Sequence, residues 1–217
     1  TGKRVWVESR GQIVSLPVGE GAAYVWKSKP GVRFRNPVGS PDGKSVAYFS
    51  DASGEFQLYV AKSDGTGEKP LTKDSGRQLL APRFSPDGKW IAFSDSKMNL
   101  RLVNIESGEE KTVTNVPMTW FGVPFDFSPD SKWITYSQVA PVTFNNVVHL
   151  YEIETGKTTA VSDGRGSDST PAFSSDGKWL VFVASRRLSA DWDPILNQMN
   201  LAPTGIVTLV SLAADTE

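Results

Sequence analysis

Short apolar runs recur along the chain, separated by clusters of Gly, Pro, Asp and Ser. Four of them are Ser45-Val-Ala-Tyr-Phe49, Trp90-Ile-Ala-Phe93, Trp133-Ile-Thr-Tyr136 and Trp179-Leu-Val-Phe-Val183. Each is β-branched and aromatic and is bounded by turn residues, which predicts a strand rather than a helix. Leu100-Arg-Leu-Val-Asn-Ile105 and His149-Leu-Tyr-Glu-Ile153 partly alternate, as half-buried strands do. No helical periodicity runs long enough to compete.

The runs belong to a repeat. Ser40-Pro-Asp-Gly-Lys44, Ser85-Pro-Asp-Gly-Lys89, Ser128-Pro-Asp-Ser-Lys132 and Ser174-Ser-Asp-Gly-Lys178 recur at intervals of 43 to 46 residues, the period of propeller blades. Arg83-Phe84, Asp126-Phe127 and Ala172-Phe173 lead into three of the copies. Pro presets φ for a turn, Asp bonds nearby backbone and Gly accepts positive φ. The element therefore predicts a tight hairpin between the lead-in and the following strand, with backbone strain where Ser131 replaces Gly.

A third strand is expected at 57–61, 100–105, 147–153 and 206–212. A short fourth is expected at 69–72, 111–114 and 158–162, after turns at Ser63-Asp-Gly65, Glu106-Ser-Gly108 and Glu154-Thr-Gly156. Each unit then reads as a four-stranded antiparallel meander, one propeller blade. The fold expected is all-β: a β-propeller arc of three complete blades with a partial blade at each end, cut from a six- or seven-bladed ring. The expected boundaries within this single segment (1–217) are a partial blade 1–30, blades 33–73, 79–115 and 119–163, and a partial blade 169–217 with an insertion at 186–205. The first residue would lie inside a blade, so any signal segment would precede it.

Composition narrows the chemistry. There are no cysteines, which excludes disulfides, Cys-ligated metals and Cys nucleophiles. There is one histidine, His149, which any Ser-His-Asp triad within the chain would have to use. The net charge of -1 comes without a basic block, which argues against nucleic acid or an anionic membrane as partner. No apolar run approaches a membrane span.

Three stretches resemble the propeller of tricorn-type proteases: Lys3-Arg-Val-Trp-Val-Glu-Ser-Arg-Gly-Gln-Ile-Val-Ser-Leu-Pro17, the run from Arg35 to Tyr59, and Pro171 to Arg186 with the insertion after it. The Ser-Pro-Asp-Gly-Lys element alone is shared with TolB-like (WD40-like) and dipeptidyl-peptidase propellers. The runs at 3–17 and 35–59 favour tricorn. The resemblance implies a large serine protease with a six-bladed and a seven-bladed propeller, a PDZ domain and a tail-specific-protease catalytic domain. This chain would fit the later part of the second propeller. The propellers of that family filter and channel peptides, and no position here matches its catalytic motifs.

His149 sits inside an expected strand and reads as a hydrogen-bonded blade residue. Gly39-Ser-Pro-Asp-Gly-Lys-Ser45 is one residue short of a P-loop and is a repeat copy, hence a hairpin. Asp51, Asp64, Asp74, Asp95, Asp163 and Asp168 lie at turns without EF-hand spacing. Trp90, Trp133 and Trp179 hold equivalent places and read as blade packing, as do Trp6 and Trp26. Trp120 and Trp192 break the pattern. The loop between second and third strands lengthens at 138–146 and again at 186–204. A rigid scaffold with long connections suits recognition. Trp120, Arg186, Arg187, Asp191 and Trp192 are therefore the candidate contacts for peptide or a neighbouring domain. No catalytic, cofactor or metal residue is expected.

The function expected is a non-catalytic propeller portion of a tricorn-like serine protease, guiding peptides to a distant active site. The alternatives are a TolB-like or WD40-like interaction scaffold and the propeller of a prolyl-oligopeptidase-type hydrolase. Expected partners are peptide substrates, the other domains of the parent chain (remaining blades, PDZ and catalytic domain) and further copies of the chain. The compartment expected is the cytoplasm, with the periplasm as the alternative.

Overall fold

The computed structural model describes residues 3–73, 79–95, 97–115, 123–193 and 198–212, the side chains of 79–81, 186–193 and 198–204 excepted. It is all-β, with no helix among the described residues. The chain divides into two compact units, Thr1–Gly122 and Val123–Glu217.

The first unit holds three antiparallel sheets. One has three strands: β1 (Arg4–Ser9), β2 (Gln12–Pro17) and β3 (Tyr24–Lys27). The next has four: β4 (Phe34–Gly39), β5 (Ser45–Ser50), β6 (Gln57–Lys62) and β7 (Lys69–Pro70). The third has β8 (Leu79–Phe84), β9 (Trp90–Asp95), β10 (Asn99–Asn104) and β11 (Glu110–Asn115). The second unit holds a four-stranded sheet, β12 (Phe125–Phe127), β13 (Trp133–Val139), β14 (Asn146–Glu152) and β15 (Thr158–Ala160). It also holds a three-stranded one, β16 (Ser167–Phe173), β17 (Trp179–Asp193) and β18 (Gln198–Ser211). Every sheet is a meander in chain order, so each is a propeller blade: three complete, and one three-stranded blade at each end.

The second strand of a blade is buried on both faces. Along β5, Val46 and Tyr48 pack with Ile13, Trp26 and Phe34 of the first two sheets. Ala47 and Phe49 face the other way, with Leu58, Phe84, Ile91 and Phe93. Successive strand residues point to opposite faces, so a strand sandwiched between two neighbours reads as a continuous apolar run. In the second unit Leu180, Phe182 and Ala184 of β17 are buried with Val148.

First strands run further than their two-residue lead-ins suggest. β4, β8 and β16 each carry a register shift, between Arg35 and Val38, Leu80 and Arg83, and Ser169 and Ala172. Each shift contains a proline: Pro37, Pro82 or Pro171. Proline has no N–H for the ladder, so it is held in a bulge. Asn36 and Thr170, just before two of these prolines, stand at φ of 48° and 51°.

The expected insertion at 186–205 is corrected in kind. It is not a loop: β17 and β18 continue as a paired hairpin from Arg187↔Thr204 to Asp193↔Gln198, past a bulge between Ser185 and Arg187. The reason lies in the sequence. Leu188, Ala190 and Trp192 alternate with polar residues, and the register sets them opposite Pro203, Leu201 and Met199, apolar against apolar.

Candidate functional site

The four repeat turns are one hydrogen-bonded device. In each, the leading Ser hydroxyl donates to the Asp Oδ1: Ser40 to Asp42, Ser85 to Asp87 and Ser128 to Asp130 at 2.6 Å, and Ser174 to Asp176 at 2.5 Å. The same hydroxyl accepts the N–H five residues on, at Ser45, Trp90, Trp133 and Trp179, over 2.9–3.0 Å. The Asp Oδ1 also accepts the N–H of the repeat Lys. Ser40 and the Lys44 N–H hold the Asp42 carboxyl below its usual range, and Ser174 and the Lys178 N–H do the same for Asp176. At Asp130 burial opposes the shift, but the Ser128 hydroxyl and Lys132 N–H outweigh it. The fourth position is left-handed throughout: φ is 73° at Gly43 and Gly88, 72° at Gly177 and 60° at Ser131. The strain expected at Ser131 is therefore present.

The P-loop-like stretch is one of these hairpins, closed by the Gly43 N–H on the Ser40 carbonyl. Gly39 has a packing reason to be glycine: a Cβ there would lie 2.9 Å from the Trp6 ring. The turn aspartates bind backbone. Asp51 accepts the Arg33 N–H, Asp64 the Thr66 N–H and hydroxyl, Asp95 the Lys97 and Asn99 N–H groups, and Asp163 the Arg165 N–H. Asp168 is buried in β16, and Asp74 lies outside the described residues.

His149 lies in β14, half-buried, stacked on Tyr136 with ring centroids 5.2 Å apart and 11° between planes. Its Nδ1 is 3.0 Å from the Val147 carbonyl. A carbonyl only accepts, so Nδ1 carries the proton in this bond. Burial lowers the imidazole's pKa, against the pull of that carbonyl. The ring is part of blade packing.

Of the candidate contacts, Trp120 lies outside the described residues. Arg186 is at the β17 bulge. Arg187 pairs with Thr204 and Asp191 with Asn200, in the polar register, whereas Trp192 pairs with Met199 in the apolar one. The pairing thus places Trp192 in a different register from Arg187 and Asp191. In the meander the β13–β14 and β17–β18 connections share one end of the second unit, opposite the repeat turns. The β13–β14 connection is closed by the Ala140 N–H on Asn145 and exposes Val142 (89%) and Phe144 (68%), an apolar tip on the same end as the long hairpin.

A family model described as the tricorn protease second beta propeller domain matches residues 1–216. The chain belongs to this family. The tricorn protease homolog of Saccharolobus solfataricus is 26% identical over 90% of the chain, which spans 17% of that protein's length. A crystal structure of the tricorn protease superposes with a TM-score of 0.86 at 18% identity, over 99% of this chain and 21% of that one. The structure of a putative TolB from Agrobacterium tumefaciens superposes with a TM-score of 0.59 at 21% identity, over 97% of this chain and 74% of that one. The two structural likenesses show the fold.

In this tricorn propeller segment, adjacent blades are also tied by polar contacts. The buried Tyr48 hydroxyl donates to Glu68, whose other oxygen is 2.7 Å from Lys27 Nζ of the preceding blade. Trp26 Nε1 donates to the Ser63 carbonyl at 2.8 Å. Burial raises the Glu68 carboxyl, but Lys27 and Tyr48 outweigh it and hold it below its usual range. Burial pushes the Tyr48 hydroxyl far above the ordinary phenol range.

The turn serine and the bulge proline carry roles that turn propensities alone do not assign. Both had a signal: the serine opens all four repeats, and a proline stands three residues before three of those serines.

Proposed function

We propose that this tricorn propeller segment is a non-catalytic part of a serine protease, filtering or channelling peptides towards an active site carried by another part of the parent protein. The observation that supports it is the match to the second tricorn propeller along residues 1–216. The sequence's one imidazole is bonded to Val147 and stacked on Tyr136 within the blade, which speaks against a Ser-His-Asp triad in this chain. The long hairpin and the 140–145 connection would meet peptide, a neighbouring domain or another copy. The resemblance to tricorn proteases favours the cytoplasm over the periplasm.

The test is a peptidase assay of the full chain on a fluorogenic peptide set. Turnover equal to buffer is expected; turnover abolished by a serine-directed inhibitor overturns the reading. Flanking coding sequence separates the alternatives. A downstream PDZ and tail-protease region supports the proposal. The TolB-like match over nearly the whole chain favours a second reading, an interaction scaffold with no linked enzyme. A lone six-bladed ring would establish that reading in place of the first. An α/β-hydrolase region with a nucleophile elbow would point instead to a prolyl-oligopeptidase-type propeller.

A further inference from the structure

Two clefts open between adjacent blades at their repeat-turn ends, one in each unit. In the first unit the cleft lies between the second and third sheets, lined by Asp42, Ser45, Phe84, Asp87 and Ile105, with a volume of about 150 Å³. A lysine of the chain reaches across between these blades: Lys69 Nζ donates to the Ile105 carbonyl at 2.7 Å. In the second unit the cleft lies between the fourth and fifth sheets, lined by Asp130, Trp133, Leu150, Phe173, Asp176 and Leu212, with a volume of about 440 Å³. The two turns that rim it touch, with Pro129 3.9 Å from the place of a Cβ on Gly177.

The repeat makes the two clefts comparable position by position. Lys69 stands opposite Val60 in β6, two residues before Lys62, the partner of Ser45. The same register in the third sheet puts Lys111 opposite Leu102, and Lys111 Nζ lies 5.3 Å from the centre of the Trp90 ring. In the fourth sheet that register puts Thr159 opposite Leu150. Leu212 corresponds to Ile105, since each donates its N–H to the carbonyl of the preceding turn lysine. The position occurs in four sheets. Two hold a lysine, one reaching a neighbouring blade's carbonyl and one an indole; the first sheet holds Tyr24, opposite Ser15 and under the Arg4 guanidinium. In the fourth sheet it is a threonine, and the cleft beside it is about three times as large as that beside Lys69.

We infer that the cleft between the fourth and fifth sheets binds a lysine side chain from a partner polypeptide. Its walls suit that side chain along its whole length. Trp133, Leu150 and Phe173 offer an apolar track for the four-carbon stem, and the indole also attracts a cation. Asp130 and Asp176 set two exposed carboxylates at the rim, where their charge complements an ammonium. A norleucine side chain fits the same track but adds no charge to that which Lys132 and Lys178 already set beside the carboxylates. The inference needs only this turn-end cleft and does not rest on the channelling role.

The experiment follows the Trp133 indole N–H by NMR in the full chain, assigned through Trp133→Phe. The titrant is the capped peptide acetyl-Gly-Ser-Lys-Ser-Gly-amide, with the norleucine peptide as control. A saturable shift of the Trp133 resonance with the lysine peptide and none with norleucine is expected. Asp130→Asn with Asp176→Asn should weaken binding at least fivefold. Thr159 is exposed, so Thr159→Lys should fold normally, supply the missing lysine and weaken peptide binding more than tenfold. An unmoved Trp133 resonance, an equal response to norleucine, or undiminished binding by Thr159→Lys would overturn the inference.

Discussion

The left-handed fourth residue of the repeat turn is where one atom decides the conformation. At Gly88 a Cβ would meet nothing within 4 Å, so substitution there is opposed by backbone conformation alone. Gly88→Ala should cost about 1 kcal/mol and lower the melting temperature by roughly 2–4 °C, read by thermal denaturation. No change would show that the turn relaxes out of the left-handed region. His149 makes a second prediction. Its folded pKa lies below the ordinary 6.5, so the neutral ring favours the fold. That contribution is complete above 6.5 and is lost as pH falls through the lower folded value. Melting temperature should therefore drop as pH falls from 7 to below 6.5, and His149→Phe, which keeps a ring on Tyr136, should flatten the drop. An equal drop in the variant would assign the acid sensitivity elsewhere.

Among the elements, the long hairpin is the departure from blade geometry. The buried Leu180, Phe182 and Ala184 lie on the blade side of the Ser185/Arg187 bulge, and the pairs from Trp179↔Ser211 to Ser185↔Gly205 do not need the extension. Replacing residues 187–204 by a two-residue turn should leave the melting temperature within a few degrees of the parent, since Leu180, Phe182 and Ala184 and the blade's own strand pairs stay in place. A loss beyond about 10 °C would mean that the hairpin is part of the blade's own core. The repeat turns were legible because they occur four times with their turn chemistry intact. The hairpin is harder to read, because a long segment between two strands resembles an irregular insertion, although the strict alternation from Leu188 to Trp192 is a strand signal.

At the scale of the whole molecule, the second blade is incomplete without its neighbours in the first unit. Phe49 and Ala47 are buried by the third sheet, and Val46 and Tyr48 by the first. Such a repeat is stabilised by blade-to-blade interfaces as much as by each sheet. The family assignment agrees with this picture, since it rests on a match along residues 1–216 rather than on one motif. The peptidase test belongs at this scale, because proteolysis, if present, is a property of the parent protein rather than of these blades.

The sequence by itself determined the strand order, the turn sites and the all-β class, because these depend on local steric preferences and on a period that is counted along the chain. Only the tertiary structure decided which turn serine bonds which backbone N–H, where the first strands bulge around proline, and that the 186–204 region pairs as a hairpin. It alone brought Thr159 into register with Lys69 and Lys111. The turn-end clefts, like those register matches, are set by how separate blades meet, and neighbouring residues in the chain carry no record of that meeting.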